Sequence, residues 1–126
     1  MNTIAQETKF QIPQPNEGEI YAGAIIQPDG TGHHVFLMDG DNDGADWNTS
    51  MEWAKSIGGD LPDRVEQALL HAHMKDRFKP DWYWSNTLHA SYSGYAWSQF
   101  FDYGRQYYSY TRYKCRARAV RRSPLI

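Results

Sequence analysis

A chain of 126 residues with thirteen lysines and arginines against fifteen acidic side chains carries a formal charge of −2. That balance argues against a generally basic nucleic-acid binder and against a polybasic membrane-surface protein. The length suffices for one domain with a real core and no metal or disulfide help. A lone cysteine cannot close an internal bridge, so nothing signals an oxidising compartment.

Residues 1–18 are polar and contain Pro13 and Pro15, so they read as an extended or disordered arm. They lack the apolar stretch of a signal peptide, so no secretory signal is expected and the localisation is left unknown. No run reaches membrane-spanning length, so no membrane insertion is expected. Residues 19–123 form the expected domain. Ile20 to Ile26 and His33 to Met38 read as two strands of a hairpin, joined by the turn Pro28-Asp29-Gly30-Thr31-Gly32.

Asp39 to Asp46 reads as an acidic loop. Thr49-Ser50-Met51-Glu52 offers a capping box with Thr49 as cap, opening a helix to about Ile57 that Gly58-Gly59 ends. Met51, Ala54 and Ile57 share one side of it. Asp63-Arg64-Val65-Glu66 repeats the start signal, predicting a second helix to about Lys75 with Val65, Ala68, Leu69 and Ala72 inward. Trp82 to Ser85, Tyr95 to Asp102, Arg105 to Thr111 and Lys114 to Arg121 read as strands, with a hairpin turn at Asp102-Tyr103-Gly104. Strands, two central helices and more strands indicate an α+β fold.

Asp39-Gly40-Asp41-Asn42-Asp43-Gly44 matches the front half of a calcium loop, in which alternate carboxylates face a hard cation. Asp39, Asp41 and Asp43 are therefore the candidate metal ligands. The twelfth position is Ser50 rather than a bidentate glutamate, which favours a solvated acidic turn. No other cofactor is expected. Gln27-Pro28-Asp29 occurs beside calcium in sugar-binding lectins, but here it precedes both helices and reads as coincidence. His33-His34 point to opposite faces of a strand, and His71 and His73 diverge on a helix, so neither pair has zinc-ligand spacing. The basic run Lys114 to Arg122 reads first as a strand with a solvated face, with a phosphate-binding patch as the alternative. Ala117 and Ala119 share the face of Cys115, which favours a buried, inert thiol.

Seven of nine tyrosines fall between Tyr92 and Tyr113, among serines and glycines. Tyrosine set in small polar residues is the composition of a binding surface, because it offers large, stiff, amphipathic contact area at low rotamer-entropy cost. Tyr107, Tyr108 and Tyr110 cannot all point inward from a strand whose side chains alternate. The candidate ligand-binding residues are Tyr92, Tyr95, Tyr103, Arg105, Tyr107, Tyr108, Tyr110 and Arg112. No motif points to catalysis, so the chain is expected not to be an enzyme.

The order of landmarks resembles a bacterial and phage family. The pieces are the helix Trp47 to Ile57 with Gly58-Gly59, then Asp60-Leu61-Pro62-Asp63-Arg64-Val65-Glu66, then Trp82-Tyr83-Trp84-Ser85-Asn86. Tyr95-Ala96-Trp97-Ser98-Gln99-Phe100, a Gly104 turn and the closing Arg116 to Arg122 complete the set. These resemble the C-type-lectin-like domain at the C-terminus of collagen-like bacterial adhesins, related to the variable proteins of diversity-generating retroelements and to the sulfatase-modifying-factor fold. The resemblance covers roughly residues 20–122. It implies twisted antiparallel sheets with two central helices, first strands pairing with the last, and a ligand-facing segment between Trp84 and Lys114. It also implies a homo-oligomer, as several lectin-like tip domains are trimers. The catalytic cysteines of the sulfatase-modifying relatives have no counterpart here beyond Cys115. The function expected is a phage- or prophage-encoded module that binds a protein or glycan. A phage-encoded inhibitor of a host intracellular complex and a calcium-dependent lectin are the alternatives.

Overall fold

The computed structural model describes residues 11–125; the first ten residues of the expected arm lie outside them. Residues 11–18 form neither helix nor strand. Strands β1 (Ile20–Ile26) and β2 (Gly32–Leu37) pair antiparallel, and β2 also pairs with β8 (Val120–Pro124), giving a three-stranded sheet. A bulge between Tyr21 and Gly23 bends β1. Gly23 takes φ +143° there, where any Cβ would meet Leu69 at 3.2 Å.

The second sheet has five strands in the order β3 (Asn42–Ala45), β7 (Cys115–Ala117), β4 (Trp82–Leu88), β5 (Tyr95–Phe100) and β6 (Arg105–Tyr110). It is mixed rather than purely antiparallel, because β7 returns beside β4 in the same direction, with Tyr83 opposite Arg116. Helices α1 (Trp47–Ser56) and α2 (Arg64–Met74) complete an α+β fold, with a 3-10 turn at Lys75–Arg77. Among the described residues no helix is long and apolar enough to cross a membrane.

Four local expectations are corrected. The loop at Asp39 to Asp46 contains β3, a short edge strand of irregular register that its Asp and Gly residues tolerate at an edge. Helix α1 starts three residues earlier than expected, because the Asp46 carboxylate accepts from the Thr49 N–H at 2.8 Å and is the cap in place of Thr49. The stretch Lys114 to Arg121 divides into β7 and β8, which belong to different sheets. Arg118 lies between them and donates to the carbonyls of Arg77 and Met38, both at 2.7 Å.

The fourth correction concerns α2. Its capping box is as expected, with Asp63 and Glu66 bonded reciprocally. Its buried residues, however, are Glu66, Gln67, Leu70 and Met74; of the expected face Leu69 packs against the core, while Ala68 and Ala72 are exposed and Val65 is 59% exposed. Glu66 is fully buried, yet it accepts from Arg122 Nε and Nη2 at 2.7 Å each, from His33 Nε2 at 2.6 Å and from the Asp63 N–H at 2.8 Å. Arg122 also reaches Asp60 at 2.7 Å. The remaining arginines of the basic run are likewise engaged internally: Arg116 with Asp41 and Asp81, Arg121 with Glu19. The four arginines of the run thus form an internal framework, three through ion pairs and Arg118 through backbone carbonyls.

The core lies in two clusters divided by β4, whose alternation sends Tyr83 one way and Trp84 the other. Tyr83 packs with Val35, Leu37, Leu70, Met74 and Phe101. Trp84 packs with Ala54, Leu61, Ala96, Ala117 and Ala119.

Burial pushes the Glu66 carboxyl up, but the bonds from Arg122, Asp63 and His33 outweigh it and hold it below its ordinary value of 4.5. A depressed folded-state value means the group stabilises the fold above the ordinary carboxylate range, and the contribution is lost as pH falls through the folded value. Glu66→Gln should cost about 3 kcal/mol near neutral pH, because it leaves Arg122 short of a buried partner. In denaturant unfolding at a series of pH values, the gap between wild type and variant should hold near neutrality and narrow below about pH 4.5.

Candidate functional site: a tyrosine-lined groove on the β5–β6 hairpin

The hairpin closes at Asp102-Tyr103-Gly104, where the Gly104 N–H donates to the Phe100 carbonyl at 2.7 Å. Gly104 takes φ +78°, and a Cβ there would stand 2.7 Å from His71 Nδ1, so only glycine fits the turn against α2. Along one face the strands pair Gln99 with Gln106, Trp97 with Tyr108, and Tyr95 with Tyr110.

The first of these pairs docks on α2 through a ladder of amides. Gln67 donates to the Tyr83 carbonyl at 3.0 Å, and Gln99 donates to the Gln67 carbonyl at 2.6 Å. Gln106 donates to Gln99 Oε1 at 3.1 Å and to the Arg64 carbonyl at 2.7 Å. Arg64 returns a bond to Gln106 at 2.9 Å and lays its guanidinium 3.6 Å over the Trp97 ring. Past Trp97 the same face carries aromatic rings instead of a helix.

Those rings enclose a groove of about 770 Å³ lined by Ser91, Tyr92, Ser93, Tyr95, Tyr107, Tyr108, Ser109, Tyr110 and Tyr113. Tyr95 and Tyr110 rings are 4.3 Å apart, and Tyr108 meets Trp97 edge-on at 5.3 Å. Strict alternation would separate Tyr107 from Tyr108, yet their rings are only 4.6 Å apart. Strand β6 is the open edge of the sheet, and the Tyr107 ring lines the groove beside Tyr108. It remains 47% exposed.

Of the eight expected ligand-binding residues, Tyr92, Tyr95, Tyr107, Tyr108 and Tyr110 line the groove. Arg112 flanks it, 4.3 Å over Tyr110, and Arg105 lies 5.5 Å from the Tyr107 ring. Tyr103 stands apart at the hairpin turn, 78% exposed and against Phe100. Sequence reasoning left out Tyr113, whose ring meets Tyr110 at 5.3 Å, and His89. Tyr113 was visible as a member of the tyrosine run. His89 stacks on Tyr92 at 4.5 Å and on Trp97 at 5.3 Å, and nothing in a lone loop histidine announces that.

The aspartates of the acidic segment are not brought together as a metal site. Asp41 accepts from the Tyr83 hydroxyl at 2.8 Å and faces Arg116, Asp39 accepts from the Gly40 N–H, and Asp43 lies in β3. Among the described residues no group of three or more His, Cys, Asp or Glu side chains could hold a metal ion. Asp29 of Gln27-Pro28-Asp29 closes a turn by accepting from Thr31. Burial pushes the Cys115 thiol up to about 12, as an inert cysteine requires.

The Tyr95 hydroxyl is pushed up to about 12, chiefly by the neighbouring Tyr110, and Tyr108 is raised chiefly by burial. These phenols therefore stay protonated at neutral pH and both donate and accept. Flat faces, phenol and serine hydroxyls, and flanking guanidiniums suit the groove to contact and hydrogen bonding. No family model matches the chain, and no curated protein matches it.

Alkaline titration followed by tyrosinate absorbance should show at least two phenols ionising late. Tyr83, also pushed up to about 12 by burial, and Tyr95 are those two. Tyr95→Phe should remove one late step and Tyr83→Phe the other; an unchanged late step in either variant would contradict the assignment.

Proposed function

We propose that the chain is a recognition module that binds a protein or a glycan through the groove of the β5–β6 hairpin, and that it is a binder rather than an enzyme. The observation that carries the reading is the groove itself: six tyrosine rings and three serines converge on one surface. Tyrosine and arginine dominate interface energetics when they are desolvated. Here the rings brace one another edge-to-face, so little side-chain freedom remains to be lost on binding.

The scaffold reading is a C-type-lectin-like domain of the phage and bacterial adhesin kind. Its support is the order of sequence landmarks, the pairing of the early strand β2 with the last strand β8, and two helices between the early and late strands. The segment expected to face a ligand, Trp84 to Lys114, supplies every residue lining the groove.

Selection from a peptide display library and screening on a glycan array supply the ligand. The double variant Tyr107→Ser/Tyr113→Ser should weaken capture about a hundredfold, since both rings are about half exposed in the free protein and would be covered in the complex. Its melting temperature should stay within about 2 °C of wild type, because exposed side chains contribute little to folding. Wild-type capture by the double variant would move the site elsewhere.

A further inference from the structure

We infer that His89, in its neutral Nε2–H form, positions the Tyr92 wall of the groove, and that the wall is released when the imidazole is protonated. The inference rests on the reading of the groove as a binding site for its consequence, though not for its geometry. His89 is the first residue after β4, and its own N–H donates to the Tyr95 carbonyl at 2.8 Å, which fixes where the 89–94 loop leaves the sheet. Its Nδ1 then accepts two backbone N–H groups, those of Ser91 and Tyr92, each at 3.1 Å. Only an unprotonated Nδ1 can accept, so the loop selects the tautomer with its proton on Nε2.

The ring is held in a stack. Tyr92 lies parallel to it at 4.5 Å and 14°, Trp97 at 5.3 Å and 13°, and Tyr108 meets it edge-on at 4.6 Å. The stack orders Tyr92 from its ring while Nδ1 orders it from its backbone. Protonation would set an N–H against two N–H donors and leave both backbone groups unpaired.

The groups facing His89 are Ser91 and Tyr92 from the loop, Trp97 from β5 and Tyr108 from β6. The charge brought by α2 is that of Arg64, over Trp97. Arg64 and the two N–H groups oppose an imidazolium, whereas the Tyr92 and Trp97 faces favour a cation. The opposition acts through the loop backbone, so protonation displaces the loop and not merely the ring.

Amide NMR of the full chain from about pH 8 to about pH 5 tests this without a ligand. The Ser91 and Tyr92 amide signals should move together in wild type. In His89→Asn they should stay in place, because an asparagine carbonyl accepts from backbone N–H groups two residues on and does not titrate. Wild-type amides that hold still across the range, or an Asn variant that tracks wild type, would overturn the inference. With a peptide or glycan captured by the groove, wild type should lose about tenfold in affinity over the same range and His89→Asn less than about twofold. Equal losses in the two proteins would also overturn it. A groove that captures nothing, with the amide signals behaving as expected, would sink the binding reading alone.

Discussion

The Glu66–Arg122 pair is the interaction on which the remainder of the structure depends. A fully buried carboxylate is tolerable only if its lost hydration is replaced, and four donors replace it here. Those donors come from three places: the start of α2, strand β2 and strand β8. One side chain thereby fixes the N-terminus of the helix to the three-stranded sheet, and Asp60 extends the bond network back along the chain. Sequence supplied the capping box that begins the helix. The tertiary ion pair decides which face of it is buried.

That choice of face sets the site. With Glu66 turned toward β2 and β8, Gln67 follows it inward and holds both β4 and β5 through its amide and its carbonyl. Arg64, at the very first turn, is then placed over Trp97 and beside Gln106. The helix covers the hairpin only as far as this arginine. Beyond it the sheet face has no helix, and aliphatic side chains there would stand in water. Phenols tolerate half-burial because the ring packs while the hydroxyl stays solvated. The same half-burial is what the proposed recognition role would use.

The sequence made visible whatever depends on local chemistry. Ile20–Ile26 is read from its apolar run and the Pro28–Gly32 turn that follows it, and the start of α2 from Asp63 with Glu66. The limits of β5 and β6 fall within two residues of expectation, since the Gly104 turn is encoded locally. What escaped depends on distant partners. Asn42–Ala45 is a strand only because β7 lies beside it. Val65 faces water against its hydropathy because two polar neighbours, Glu66 and Gln67, have better partners inside. The Asp46 cap is the local exception: its carboxylate accepts from the Thr49 N–H, so the helix begins three residues before the Thr49 signal. At the site, the tyrosine run was legible as composition, but the place of His89 was not, since its stack needs β5 and β6 to be assembled first.

Tyr107 joins the questions of solubility and recognition. An open edge strand exposes a row of backbone donors and acceptors to any passing strand, and natural sheets blunt such edges. On the edge strand β6 the ring of Tyr107 packs against that of its neighbour Tyr108, with Arg105 5.5 Å from it. Aromatic cover hinders a strand from approaching the backbone while adding one more wall to the groove. A lysine could have blunted the edge as well, but its long side chain would have to be ordered at each binding event. A braced phenol is already ordered. On the proposed reading of the groove, the composition of β6, one arginine followed by three tyrosines within four positions, would meet both demands with the same side chains.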